Sequence, residues 1–298
     1  MALKVLPGLT FAERTTLRLG GRSQAEIVVE SPEDAHGLAC ELKKHASRPF
    51  VLGHGSNLLV MEGELDLAVI TLAKGDPAHP DLPFVSQPGD RVLVRAPGGM
   101  MLPRLVAWVA AHGFSGLEGL AGIPGTVGGA VAMNAGSFRR EIADALTRVH
   151  LWDMASGPRW ITPDDWTASY RNFAPKGVAA PWLVLEAEML LSVADPTAVR
   201  AATDETLAKK KATQPINAAT CGCAFKNPPG MSAGQLLDTL GFKGKTLGGM
   251  GFSPMHANFL VNNGAGTPSE ALALIDEAKN AVRERYNVEL ELEVRVVR

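Results

Sequence analysis

Apolar and polar residues alternate strictly near the C-terminal end of the chain. Val288, Leu290, Leu292, Val294 and Val296 share one face, and Glu289, Glu291, Glu293 and Arg295 share the other. A period of two is the side-chain period of an extended chain, so a half-buried strand is expected over 288–297. Shorter apolar runs predict strands at Ala25–Val29, Val92–Val94, Thr147–Trp152 and Trp182–Leu191. The run Phe50–Val60 reads as a strand, a glycine turn and an apolar exit. Helical spacing appears elsewhere. Leu102, Leu105, Val106, Val109 and Ala110 fall on one helical face, and Gly113 ends that helix. Ser31-Pro32-Glu33-Asp34, Ser232-x-x-Gln235 and Thr267-Pro268-Ser269-Glu270 are three helix-start signals. Gly241 is the expected stop after the second. The stretch Gly116–Ser137 is too glycine-rich for a regular helix.

No internal repeat appears, and the fold class is α+β, with mixed sheets and several domains. Three textures divide the chain at 1–75, 76–195 and 196–287, and the terminal strand 288–298 follows. A length of 298 residues allows two or three domains with sizeable cores.

Composition narrows the function. The net charge is -2 and the longest basic run is Lys209-Lys210-Lys211, which argues against a nucleic-acid partner. No apolar run approaches a membrane span, and the N-terminal residues lack a secretion signal. Three cysteines, an odd number, argue against a disulfide framework and for a reduced, cytoplasmic compartment. With 31 glycines and only two tyrosines, Tyr170 and Tyr286, the chain suits ligand loops lined by backbone.

Gly53-x-Gly55-x-x-Leu58 lacks the third glycine of a dinucleotide fingerprint. Gly244-Lys245-Thr246 lacks the glycine that a phosphate loop needs at position 239. What remains is two glycine loops, at 53–57 and 116–137, each able to bring bare N–H groups to an anion. Tight packing explains them equally well. The segment CGCAFKNPPG, Cys221–Gly230, places two thiols one residue apart. Metal ligand, redox pair, nucleophile, acid and packing are the options. Two thiolates so close cannot complete a tetrahedral zinc site, and no second Cys/His pair has ligand spacing, so no metal is expected. A C-x-C disulfide would close a strained small ring.

Seven segments occur together and in order: TTLRLGG (Thr15–Gly21), LGHGSNLLV (Leu52–Val60), GLEGLAGIPGTVGGAVAMNAGS (Gly116–Ser137), SYR (Ser169–Arg171), CGCAFKNPPGMSAGQLLD (Cys221–Asp238), HANFLVN (His256–Asn262) and LELEVRVV (Leu290–Val297). In this the chain resembles the UDP-N-acetylenolpyruvoylglucosamine reductases, the MurB flavoenzymes of peptidoglycan synthesis. The resemblance covers nearly the whole chain. It implies an FAD-binding fold of the vanillyl-alcohol-oxidase/PCMH type in two subdomains, 1–75 joined by 288–298 and 76–195. It also implies a substrate-binding α+β domain at 196–287. With no tyrosine to spare for an inserted lid loop, the shorter type II form fits.

The activity so implied is reduction of the enolpyruvyl group of UDP-N-acetylglucosamine enolpyruvate, with FAD tightly bound and NADPH as co-substrate. Arg171 matches the family's enolate-stabilising arginine, and Glu293 its C-terminal catalytic glutamate. Cys223 falls where most of the family has serine, which makes it the proton donor; a thiol is a far stronger acid than a serine hydroxyl. Asn172-Phe173 after the arginine and Leu292 before the glutamate depart from the family pattern. Gly53, Gly55, Ser56, Asn57, Gly122, Gly125, Thr126, Gly128, Gly129 and Asn134 match the FAD positions. Lys211, Asn227, His256 and Asn258 match substrate positions. Cys221 and Cys40 are expected to be packing. The expected partner is a small nucleotide-sugar and the expected state a monomer. Two rivals remain: another PCMH-type flavin oxidoreductase, and a non-catalytic nucleotide-sugar-binding protein.

Overall fold

The computed structural model describes residues 3–73, 82–138 and 140–298. The expected boundary between 75 and 76 lies outside the described residues. By its contacts the chain forms two compact units. One comprises Met1–Gly8, Gln24–His54 and Asp66–Ala208, and the other Leu9–Ser23, Gly55–Leu65 and Lys209–Arg298. Helices and strands are mixed in both, in keeping with the α+β expectation.

The first unit holds two larger sheets and two two-stranded ones. In the four-stranded one the order is Lys4–Pro7, Arg22–Val29, Glu64–Leu72, Arg48–Val51, and the last two strands are parallel. Ile27, Val29, Leu38 and Ile70 pack there with Trp152 and Leu185 in one apolar cluster. The six-stranded sheet runs Gly157–Ile161, Leu146–Asp153, Trp182–Val193, Arg91–Pro97, Phe84–Gln87, every neighbour antiparallel, with Phe114–Ser115 paired off this path. Helices Leu102–Ala111 and Val127–Ala132 contribute Leu102, Leu105, Val127 and Val131 to its core.

The second of these helices corrects a sequence expectation. The stretch Gly116–Ser137 does contain a regular helix, Val127–Ala132, six residues long. Gly128 lies inside it because a Cβ there would sit 3.1 Å from the carbonyl oxygens of both Gly98 and Val184. Close packing against the sheet outweighs the low helix propensity of glycine.

In the second unit the strand order is Ala219–Cys223, Phe259–Asn262, Met250–Phe252, Thr246–Leu247. Helices Ala233–Thr239 and Pro268–Tyr286 cover its core, which gathers Phe225, Leu237, Phe252, Leu260 and Leu274 with Leu17, Leu59 and Cys221. The longer helix opens with the expected capping box, Thr267 and Glu270 each bonding the other's backbone.

The terminal strand is shorter than its alternation predicts. Only Arg295–Val297 forms a ladder, parallel to Leu58–Val60. Burial still alternates through Leu290 and Val294. The backbone of 291–294 bonds instead to residues 224–226: Lys226 N–H to Glu291 O at 2.9 Å, and Glu293 N–H to Ala224 O at 2.9 Å. Among the described residues no helix is long and apolar enough to cross a membrane.

Candidate functional site

In the first unit the chain turns at Gly53, just past the strand Arg48–Val51. A Cβ at Gly53 would lie 2.8 Å from Thr126 Oγ1. The two glycine loops therefore meet only because residue 53 lacks a side chain. Thr126 caps the helix Val127–Ala132, its Oγ1 accepting from the Gly129 N–H at 3.2 Å. The Gly128 N–H donates to Gly98 O at 2.8 Å. Gly128 and Gly129 thus spend their N–H groups inside the fold and serve close packing. Gly53, Gly122 and Gly125 differ: among the described residues their N–H groups have no hydrogen-bond partner. Gly122 and Gly125 have φ of 75° and 141°, which other residues rarely adopt. Unpaired N–H groups on bare backbone are what an anionic group requires.

Asn134 is fully buried in the same unit, and its amide is committed. Nδ2 donates to Glu141 Oε2 at 2.6 Å and to Ser169 O at 3.0 Å, and Oδ1 accepts from the Ala143 N–H at 3.2 Å. Its side chain therefore holds a hairpin, Trp166–Ser169 paired with Asn172–Pro175. Tyr170 and Arg171 are the two-residue turn of that hairpin. Arg171 is held at φ 56°, a left-handed conformation that a non-glycine residue adopts at a cost of about 1 kcal/mol. Its guanidinium donates to Gly136 O at 3.0 Å and lies 5.2 Å from the Tyr170 ring centre. The departure at Phe173 is a core contact, since Phe173 is buried against Trp166.

In the second unit Cys223 ends the strand Ala219–Cys223, half-buried, while Cys221 is fully buried in the core. The register against Phe259–Asn262 shifts between Thr220 and Cys223, with Gly222 at φ 79°. Beyond this bulge the chain is clamped by Asn258, itself buried. The Asn258 amide accepts from Phe225 N–H at 3.0 Å and donates to Phe225 O at 2.8 Å, and its own carbonyl accepts from Ala224 N–H at 2.7 Å. The Ala224 carbonyl then accepts from Glu293 N–H at 2.9 Å and Val294 N–H at 3.3 Å. From its other side Asn57 holds the same segment: Nδ2 donates to Glu293 O at 3.0 Å, and Asn57 O accepts from Arg295 N–H at 3.0 Å. The segments that carry Cys223 and Glu293 are thus joined at Ala224, and again where Lys226 N–H bonds Glu291 O.

Burial pushes the Cys221 thiol up to about 12, and the charge of Glu293 pushes the same way. His256 is shifted down by burial, with Lys243 adding to the shift. Its Nδ1 faces the Asn258 N–H at 3.2 Å, which places the ring proton of the neutral form on Nε2. A Cβ at Gly234 would strike His256 Cε1 at 2.9 Å, so the glycine opens room for the ring.

The remaining expected residues are placed as follows. Asn227 is exposed and its Oδ1 accepts from Ala233 N–H at 3.0 Å, starting the helix Ala233–Thr239. Gly55 approaches Arg14 so closely that a Cβ would lie 2.5 Å from the Arg14 carbonyl oxygen, and Ser56 follows it, half-buried. Lys211 is exposed, whereas Lys210 is buried. Helical periodicity distinguishes them: Lys210 lies three turns from buried Val199 on the helix Pro196–Thr213, and Lys211 does not share that face.

Comparison with known proteins supplies a frame. Residues 214–297 match the family model described as UDP-N-acetylenolpyruvoylglucosamine reductase, C-terminal domain, and residues 23–161 match that of an FAD binding domain. The chain is 43% identical over 296 residues to the UDP-N-acetylenolpyruvoylglucosamine reductase of Nitratidesulfovibrio vulgaris, covering 99% of each. It is 33% identical to the enzyme of that name from Bacillus subtilis, over 99% of this chain and 94% of the relative. The solved structure of the Thermus caldophilus reductase superimposes with a TM-score of 0.80 at 33% identity, over 99% of this chain and 100% of that one. Every expected FAD position lies within 23–161, and Cys223, Asn227, His256, Asn258 and Glu293 lie within 214–297. Arg171 and Lys211 fall outside both matches.

Two outcomes are expected from this geometry. Asn258→Ala strands two buried backbone groups of Phe225 and should lower unfolding stability by about 2–4 kcal/mol; a loss below about 0.5 kcal/mol in urea titration would contradict the clamp. A raised thiol pKa means a scarcer thiolate, so iodoacetamide at mildly alkaline pH should label Cys40 and Cys223 while sparing Cys221. Mass spectrometry of the native protein would read this, and labelling of Cys221 at the rate of Cys223 would refute it.

Proposed function

The chain belongs to the UDP-N-acetylenolpyruvoylglucosamine reductase family, and from that membership we propose that it reduces the enolpyruvyl group of UDP-N-acetylglucosamine enolpyruvate to UDP-N-acetylmuramate. The observation that carries the residue roles is the joining of the Cys223 and Glu293 segments at Ala224. A thiol and a carboxyl held on adjoining backbone are the groups that proton delivery needs.

The residues of the first unit fit the FAD that the matched domain binds. Gly53, Gly122 and Gly125 offer unpaired N–H groups, and Gly53 leaves the space beside Thr126 that any side chain would fill. When bound, FAD would supply a two-electron carrier between NADPH and the enolpyruvyl methylene carbon.

The chain's own residues handle charge and protons. Hydride addition leaves negative charge on the carbon beside the substrate carboxylate, delocalised as an enolate. Arg171 meets that charge with a planar, permanently charged fork, its backbone already fixed by the Asn134-anchored hairpin. Glu293, on the segment bonded to that of Cys223, would in protonated form donate to the enolate oxygen. Cys223 gives its S–H proton to the carbon, forming the C–H bond, and regains a proton from solvent. A thiol is a far stronger acid than a serine hydroxyl, which suits Cys223 to proton donation. Cys221 is unsuited to the role, because burial withholds it from solvent. Lys211, Asn227 and the His256 Nε2–H are the proposed substrate contacts of the second unit. The Asn258 side chain serves them indirectly, through Phe225 and His256.

Cys223→Ala should leave flavin reduction by NADPH fast and slow product formation by about 10²–10⁴-fold, the range of general acid catalysis. Cys223→Ser should recover a substantial part of that loss. Rapid-mixing absorbance of each half-reaction would decide; an alanine variant that loses both halves equally would sink the proton-donor role. Arg171→Ala and Glu293→Gln should likewise spare flavin reduction.

A further inference from the structure

The second unit contains a groove of about 440 Å³ that the proton-delivery chemistry does not use. Ala219 and Val261 are in its floor, and Pro215, Pro254 and Met255 give it apolar walls. Its one charged lining residue is Arg18, and no carboxylate lines it. Among the described residues the Arg18 guanidinium has no hydrogen-bond or ion-pair partner.

Arg18 is presented rather than merely exposed. Its neighbours Leu17 and Leu19 are buried, and Arg18 takes φ 57° between them. A side chain held left-handed costs stability that glycine would not. The turn beneath is tied at four points. Arg18 N–H donates to Thr15 O at 3.2 Å, and Thr15 Oγ1 to Leu19 O at 3.2 Å. Thr16 Oγ1 donates to Thr220 O at 2.6 Å, and Asn262 Nδ2 to Leu17 O at 3.1 Å. The last two bonds fasten the turn to the two strands that contribute Ala219 and Val261 to the floor. An arginine without a partner among the described residues, its backbone tied down, therefore lines a largely apolar groove. Ser253, whose Oγ accepts the Met255 N–H at 3.1 Å, also lines the groove.

We infer that this groove is a subsite for a nucleotide, with Arg18 as the ligand of a phosphate group and the proline and methionine walls against the apolar part of the nucleoside. The inference rests on the proposed reaction and deepens it. Volume and lining suit such a ligand: small-molecule sites are mostly apolar with a few placed polar groups, and range over roughly 300–1,000 Å³. An arginine fork is the preferred partner of phosphate. Ala219 lies four residues before Cys223 on one strand, at most roughly 13 Å away along it. A nucleotide-sugar reaches across that span. Two ligands of the reaction carry such a phosphate: the UDP portion of the substrate and the 2′-phosphate of NADPH.

Arg18→Gly separates the cation from the backbone, because glycine accepts φ 57° without strain. The variant should fold at least as stably as the parent by thermal melting. UDP would be titrated into the oxidised holoenzyme, and KM measured for NADPH and NADH. A UDP Kd raised at least tenfold, with the NADPH preference kept, assigns the groove to the substrate diphosphate. Loss of the NADPH preference over NADH, with UDP binding unchanged, assigns it to the 2′-phosphate. UDP Kd and nicotinamide preference both within twofold of the parent overturn the inference. UDP binding is read without turnover, so a failure of the proposed reaction, seen as absent turnover in the parent protein, remains distinct from a failure of the subsite.

Discussion

The carbonyl of Ala224 accepts two N–H groups from the C-terminal segment, those of Glu293 and Val294. Much of the second unit is arranged around that junction. A bulged strand ends at Cys223, so the next residues have no ladder partner. Buried backbone without a partner costs roughly 1–3 kcal/mol per group. Asn258 satisfies Phe225 with its side chain and Ala224 with its main chain. Asn57 closes the other side on Glu293 and Arg295. Two asparagines and one carbonyl thus fix the backbone that carries Cys223 and Glu293.

Glycine plays two separate parts in the first unit. Gly128 and Gly129 bring a short helix against the sheet and use their N–H groups internally. Gly53, Gly122 and Gly125 keep theirs unpaired. Only the second kind leaves N–H groups for an anion to accept from.

Much of this was legible in the residues. The capping box at Thr267 and the stop at Gly241 depend on local chemistry and appear where the pattern puts them. Alternation at the C-terminus correctly marked the buried face of Leu290 and Val294, but not the pairing. Pairing is a long-range matter, settled here by bonds to residues 224–226. The choice between Cys221 and Cys223 was invisible locally, since a bulge, not the spacing, buries one and half-exposes the other. Asn134 and Asn258 match ligand positions by resemblance, and in the structure their amides bond the protein itself, Asn134 to Glu141, Ser169 and Ala143 and Asn258 to Phe225. Arg18 lay in plain sight within TTLRLGG; a charged residue between two buried leucines was the available signal.

On this account the protein passes hydride to an enolpyruvyl sugar and completes the step with a proton. The most direct test is anaerobic. The holoenzyme is reduced with one equivalent of NADPH, freed of NADP, and mixed with UDP-N-acetylglucosamine enolpyruvate while flavin absorbance is followed. Prompt reoxidation with stoichiometric UDP-N-acetylmuramate is the expected result. A flavin that reduces and then stays reduced would contradict the account.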